Sequence, residues 1–181
     1  MPSKKKVTPK KTIEKKLYSA LEGLAIAMQT EVEGYEFYKV AAKNSKDAGA
    51  KKMFESLAKD EKDHYDMLAK HQEHLVETGT HKPLKKLAKA KLQFKSPVFT
   101  KAFLSSKKKK NFEMSALSIG VMLEMNAIEF FREQLEKSSD ARAKQFYQFL
   151  IDWEGEHLRA LIAQRNFLMR GIFEDARFEP F

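Results

Sequence analysis

The amino-acid sequence predicts an all-α protein: four long helices, paired as two antiparallel hairpins and joined by a long crossover. Three observations carry this. Glycine and proline number only 7 and 5 in 181 residues, and no stretch alternates apolar and polar residues as a half-buried strand would. Apolar residues recur three and four apart through four segments of about thirty residues each, the mark of a helix with one buried face. The second half of the chain also repeats the first.

The first 11 residues form a Lys-rich, Pro-punctuated basic tail. Thr12 is placed to cap a first helix running to about Lys43, with Leu17, Leu21, Leu24, Ala27, Met28, Tyr35, Tyr38 and Ala42 on one stripe. Glu31 falls inside that stripe, three residues after Met28. Asp47 is a good cap for a second helix, which runs to Thr78 and stops at Gly79. Its inner positions are Ala50, Met53, Phe54, Leu57, Glu61, His64, Tyr65 and Leu68. The link between the two is so short that the helices must be antiparallel neighbours.

Residues 80–110 form a basic connector in which Ser96-Pro97 opens a short helical stretch, PVFTKAFL. A helix of about 30 residues is about 45 Å long, and about 14 extended residues span that distance. The connector is therefore long enough to return the chain to the far end, so that the third helix runs parallel to the second. This is the crossover of ferritin-like bundles. Asn111 is placed to cap the third helix, about 112–137, with Leu117, Gly120, Val121, Glu124, Ala127, Ile128, Phe131 and Leu135 inside. After the turn Ser138-Ser139-Asp140, a fourth helix buries Ala143, Phe146, Tyr147, Leu150, Glu154, His157, Leu158 and Leu161 and is expected to end near Arg170, before Gly171. The bundle domain is thus expected over residues 12–170, with 171–181 as an aromatic C-terminal tail.

Shifting residues 31–68 by 93 places twelve of 38 positions on identical residues without a gap. The matched pairs include Glu31 with Glu124, Glu61 with Glu154 and His64 with His157. Each half thus has a Glu in its first helix and Glu-x-x-His in its second, and the two Glu are 30 residues apart in both halves.

Composition narrows the chemistry. The absence of cysteine excludes disulfides, thiolate metal sites and cysteine nucleophiles within these residues, and is compatible with a reduced cytosol. No apolar run reaches 18 residues, and no hydrophobic core follows the Lys-rich start, so neither a membrane span nor a secretory signal is expected. The net charge of +9 is uneven: residues 1–20 carry +6 and residues 82–110 carry +11, whereas 21–81 and 111–181 carry −4 each. These basic segments are suited to solvation or to contact with nucleic acid.

A lone Glu-x-x-His is common on solvated helices. Two in register on apolar stripes, each with a partner Glu, are not. An unpaired buried carboxylate costs several kcal/mol, and four together repel one another. No Lys or Arg shares the inner positions of these helices. Two divalent cations balance the charge of Glu31, Glu61, Glu124 and Glu154, and His64 and His157 add two nitrogen ligands. This is the recipe of di-iron and di-manganese carboxylate bundles, and mixed oxygen and nitrogen ligation suits Fe or Mn better than Zn. Glu61 and Glu154 are expected to bridge, with Glu31/His64 and Glu124/His157 terminal on one metal each. The ligand set is fixed more firmly by the pattern than the choice of bridging carboxylates.

The runs AIAMQTEVEGYEFYKVAAK, LAKDEKDHYDML, LEMNAIEFFREQ and DWEGEHLRAL resemble the diiron domain of the rubrerythrin family, within the ferritin-like superfamily, over about residues 15–170. The resemblance implies an iron centre reactive toward O₂ or H₂O₂, in a homodimer or larger oligomer of bacterial or archaeal cytosol. The chain departs from the family in two places. It has no rubredoxin cysteines, so an external electron donor is expected. It carries Ala127 where rubrerythrins have an additional Glu one turn after the third-helix ligand. Tyr38, seven residues after the first ligand, is placed to hydrogen-bond a ligand carboxylate or to quench radicals; its repeat counterpart is Phe131.

Peroxidase or ferroxidase chemistry is the expected function. Iron sequestration, a nucleic-acid-associated protective role for the basic segments, and diiron hydroxylation are the alternatives. His71, His74 and Glu77 offer a surface metal cluster or only a solvated helix end, and Met122, Met125 and Trp153 are read as packing.

Overall fold

A computed structural model describes residues 10–81 and 110–175. They form four helices: α1 (Lys10–Asn44), α2 (Ala48–Thr78), α3 (Asn111–Lys137) and α4 (Ala141–Asp175). No strand occurs among the described residues. The chain is an all-α, ferritin-like four-helix bundle, as its periodicity requires.

Caps account for three of the boundaries. The Asp47 carboxylate accepts the Ala50 N–H at 2.8 Å at the start of α2. Its repeat counterpart Asp140 does the same for Ala143 at 2.9 Å at the start of α4. Gly79 ends α2 in the left-handed conformation at φ 66°, donating its N–H to the Leu75 carbonyl. This is the backbone state that glycine enters without a Cβ penalty.

Three expected boundaries are corrected. Thr12 lies inside α1, which already includes Lys10 and Lys11. Asn111 is the first residue of α3, following Lys110, which makes no side-chain cap. Gly171 does not stop α4, which continues to Asp175. A helical glycine costs only about 1 kcal/mol relative to alanine, and Phe167, Leu168 and Ile172 on either side of it pack in the core. Packing therefore carries the helix through a weak stop signal. The expected short helix after Ser96 and the greater part of both termini lie outside the described residues.

Cross-helix contacts fix the directions. Glu31 of α1 meets His64 of α2, and Tyr38 of α1 meets Glu124 of α3. The α1–α3 contact continues at Gly23, which lies against Gln134. Position numbers rise on α1 as they fall on α2 and α3, so α1 is antiparallel to both. It follows that α2 and α3 are parallel. The chain leaves α2 at one end of the bundle and re-enters α3 at the other, where Glu113 accepts the Lys46 N–H at 2.7 Å.

Two apolar clusters fill the interior. One gathers Phe54, Leu57, Leu117, Val121, Leu161 and Leu168 near the α1–α2 turn. The other gathers Leu24, Leu68, Phe131, Phe146 and Leu150 toward the α3–α4 turn. Between them lies one buried polar layer. By length and composition α3 could cross a membrane, but its buried face carries Glu113 and Glu124 and packs against the other helices.

The repeat reaches into the packing. A Cβ on Gly120 would stand 3.2 Å from the Tyr38 hydroxyl, and one on Gly23 would stand 3.0 Å from the Tyr147 hydroxyl. A shift of 93 converts these pairs into Ala27 with Phe131 and Ala116 with Phe54. Where the ring carries a hydroxyl, the facing helix has glycine; where it does not, the facing helix has alanine.

Candidate metal centre

The polar layer comprises the six residues picked out by the repeat. Glu31, Glu61, Glu124 and Glu154 are each at most 4% exposed, and His64 and His157 are fully buried. Each helix contributes through its apolar stripe, and the three-residue spacing puts the Glu and His of one motif on the same face.

The two imidazoles lie nearly parallel, with ring centroids 5.2 Å apart. His64 Nδ1 stands 3.1 Å from Glu61 Oε2, 3.2 Å from Glu154 Oε1 and 3.2 Å from Glu31 Oε2. His157 Nδ1 stands 3.2 Å from Glu154 Oε2, 3.4 Å from Glu61 Oε1 and 3.8 Å from Glu124 Oε1. Glu61 and Glu154 therefore each direct one oxygen to each imidazole, while Glu31 and Glu124 each serve one. Gly34 makes room for this, since a Cβ there would lie 3.3 Å from Glu61 Cγ.

Electrostatics follow from burial. Among the described residues, the cationic groups within ion-pair distance of the four carboxylates are these imidazoles. Burial opposes charge on His64, but Glu154 and the other carboxylates beside it outweigh that and raise its pKa well above the usual histidine value. His157 is raised in the same way against its own burial, chiefly by Glu61. Burial also opposes charge on Glu154 and Glu61, yet the two imidazoliums hold both below the ordinary carboxylate range. Glu31 and Glu124 are pushed well up, first by burial and then by the neighbouring carboxylates.

Several polar atoms of the layer are unsatisfied among the described residues. Both carboxylate oxygens of Glu154, both ring nitrogens of His157 and His64 Nε2 are buried without a hydrogen-bond partner. Converging oxygen and nitrogen donors in poor mutual hydrogen-bond geometry fit metal ions better than they fit one another. One donor atom from each of Glu61, His64, Glu154 and His157 lies within 4.8 Å of all the others, a group able to hold a metal ion.

The Tyr38 hydroxyl donates to Glu124 Oε1 at 2.5 Å. Burial, then the Glu124 charge, raises the pKa of this phenol well above its usual value, so it stays a donor. Ala127 is buried on α3 and offers no donor.

The other candidates fare differently. His71 is buried and pairs with His81 at 2.9 Å, its ring stacked on Phe146. It is thus withdrawn from any surface cluster with His74 and Glu77, because the apolar end of the bundle takes it in. Met122 and Met125 are 60% and 55% exposed, so they are not core packing. Trp153 does pack, against Phe149 and His64. Sequence reasoning missed Asp60, whose Oδ2 lies 3.7 Å from His157 Nε2. Its signal was its place immediately before Glu61, where a residue of the same helix can lie behind the histidine of another.

The Rubrerythrin family model matches residues 2–72, which take in α1 and most of α2 with Glu31, Tyr38, Glu61 and His64. No curated protein and no solved structure matches the chain. The second hairpin, outside the matched residues, carries the same Glu and Glu-x-x-His by internal repetition, so the similarity to the Rubrerythrin family lies in the first hairpin and its motif recurs in the second.

Proposed function

We propose that the protein is a dinuclear iron oxidoreductase that reduces H₂O₂ or O₂, supplied with electrons by an external donor and working as a cytosolic homodimer. The observation that carries this reading is the divided reach of Glu61 and Glu154, each with one oxygen toward each imidazole. Two ions with one imidazole apiece and two shared carboxylates satisfy that pattern. Glu31 and His64 would be terminal on one ion, Glu124 and His157 on the other, and manganese could replace iron on the same ligands.

When bound, a ferrous pair supplies the two electrons that take H₂O₂ and two protons to two waters. The residues of the chain do the rest. Four carboxylates offset the charge of two divalent ions. The apolar clusters above and below the layer exclude bulk water and strengthen each electrostatic contact. Tyr38 fixes one oxygen of Glu124 and keeps its proton there.

Anaerobically reduced protein loaded with Fe²⁺ is expected to consume H₂O₂ in a rapid phase, at about one peroxide per two irons, as ferric absorbance appears. Consumption no faster than by free Fe²⁺ overturns the proposal. A large shell filling with many irons per chain would instead indicate sequestration.

A further inference from the structure

The internal repeat makes the two halves of the centre look equivalent, but the residues behind each imidazole break the symmetry. The position before the second-helix Glu is Asp60 in the first half and Trp153 in the second. Because each lies behind the histidine of the other half, the two rings have opposite surroundings. His157 Nε2 faces the Asp60 carboxylate at 3.7 Å, within ion-pair range. Neither Nε2 has a hydrogen-bond partner among the described residues, but behind His64 there is no carboxylate at ion-pair distance among them; the Trp153 ring stands edge-on there, with centroids 3.9 Å apart. Trp153 Nε1 is itself buried without an acceptor, so the indole supplies no hydrogen-bonded counterpart to Asp60.

The first-helix carboxylates are unequal in the same sense. Glu124 receives the Tyr38 hydroxyl. For Glu31 the repeat counterpart of that tyrosine is Phe131, which has no hydroxyl to give. Both differences favour one side. A carboxylate behind a ligating histidine fixes the ring and raises its basicity, and a hydrogen bond to a ligating carboxylate holds its orientation. Loss of such support costs 10- to 100-fold in metal affinity, roughly.

We propose that the two metal positions are unequal by construction. The Glu124/His157 position, supported by Asp60 and Tyr38, retains its ion; the Glu31/His64 position, backed by Trp153, exchanges it. Asp60 and Tyr38 are positioning residues for the retained ion. The proposal rests on the dinuclear reading above and concerns only how the two positions differ.

The test is titration of the full metal-free chain with Co²⁺, followed by calorimetry and by the visible Co²⁺ spectrum, with anomalous scattering from crystals grown at one equivalent. Two steps are expected, the first tighter by about tenfold or more. At one equivalent the anomalous signal should sit at His157. Asp60→Asn, at a partly exposed position, should weaken the first step by roughly 10- to 100-fold and leave the second unchanged. Tyr38→Phe should weaken the same step. Equal occupancy of both positions, filling at His64 first, or an Asp60→Asn effect confined to the second step overturns the inference while leaving a dinuclear centre intact. Failure to bind Co²⁺, Fe²⁺ or Mn²⁺ at all overturns the dinuclear reading and the inference with it.

Discussion

The six polar residues of the central layer have titration behaviour that determines how the metal-free protein responds to pH. His64 and His157 have folded pKa values raised above 6.5, and Glu31 and Glu124 have values raised above 4.5. A group that binds its proton more tightly when folded stabilises the fold at low pH, and that contribution disappears as pH rises through the folded value. Glu61 and Glu154 are lowered, so their contribution is present above 4.5 and disappears in acid. The metal-free protein should therefore melt at a lower temperature at about pH 8.5 than at about pH 6. Mn²⁺ requires neutral imidazoles and charged carboxylates, so it should stabilise the protein more at the higher pH. A metal-free melting temperature that rises over this interval would contradict the raised histidine values. These six residues were legible in the sequence because repetition distinguished them from the other acids. Asp60 was less so: its partner His157 lies on another helix, and its one signal was its place immediately before Glu61. His81 was hidden, since its pairing with His71 depends on how the chain leaves α2.

At the scale of elements, two copies of one hairpin meet through matched pairs of large and small residues. Gly120 lies under the Tyr38 hydroxyl, whereas Ala27 lies against Phe131 in the other half. Gly120→Ala should destabilise the protein by about 1–3 kcal/mol through overpacking. Combining it with Tyr38→Phe recreates the Ala27–Phe131 pair and should recover about 1 kcal/mol as a coupling term in a double-mutant cycle. Strict additivity in denaturant unfolding would show that the hydroxyl is not what requires glycine. Helix number, direction and inner faces were readable from apolar period and from link length, because burial must repeat with the helix. The ends were less so. Thr12 and Asn111 have good capping chemistry, but α1 and α3 begin ahead of those expectations, and α4 passes through Gly171 because Leu168 and Ile172 remain packed. A local signal worth about 1 kcal/mol yields to core burial worth more.

Across the whole molecule, charge and chemistry are separated. Segments 21–81 and 111–181 are each acidic by four charges, while residues 82–110 carry eleven lysines. With α2 and α3 parallel, α2 ends at one end of the bundle and α3 begins at the other. Inside, among the described residues, a polar layer of four carboxylates and two imidazoles lies between two apolar clusters. Whether that layer is a dinuclear centre is decided most directly by metal analysis with anomalous scattering, on protein purified from its native host. Two ions per chain, one at Nδ1 of His64 and one at Nδ1 of His157, are expected, with at least one lost in Glu61→Ala and in Glu154→Ala. A native protein holding no ion in this layer, or either variant retaining both, would contradict the shared-carboxylate centre.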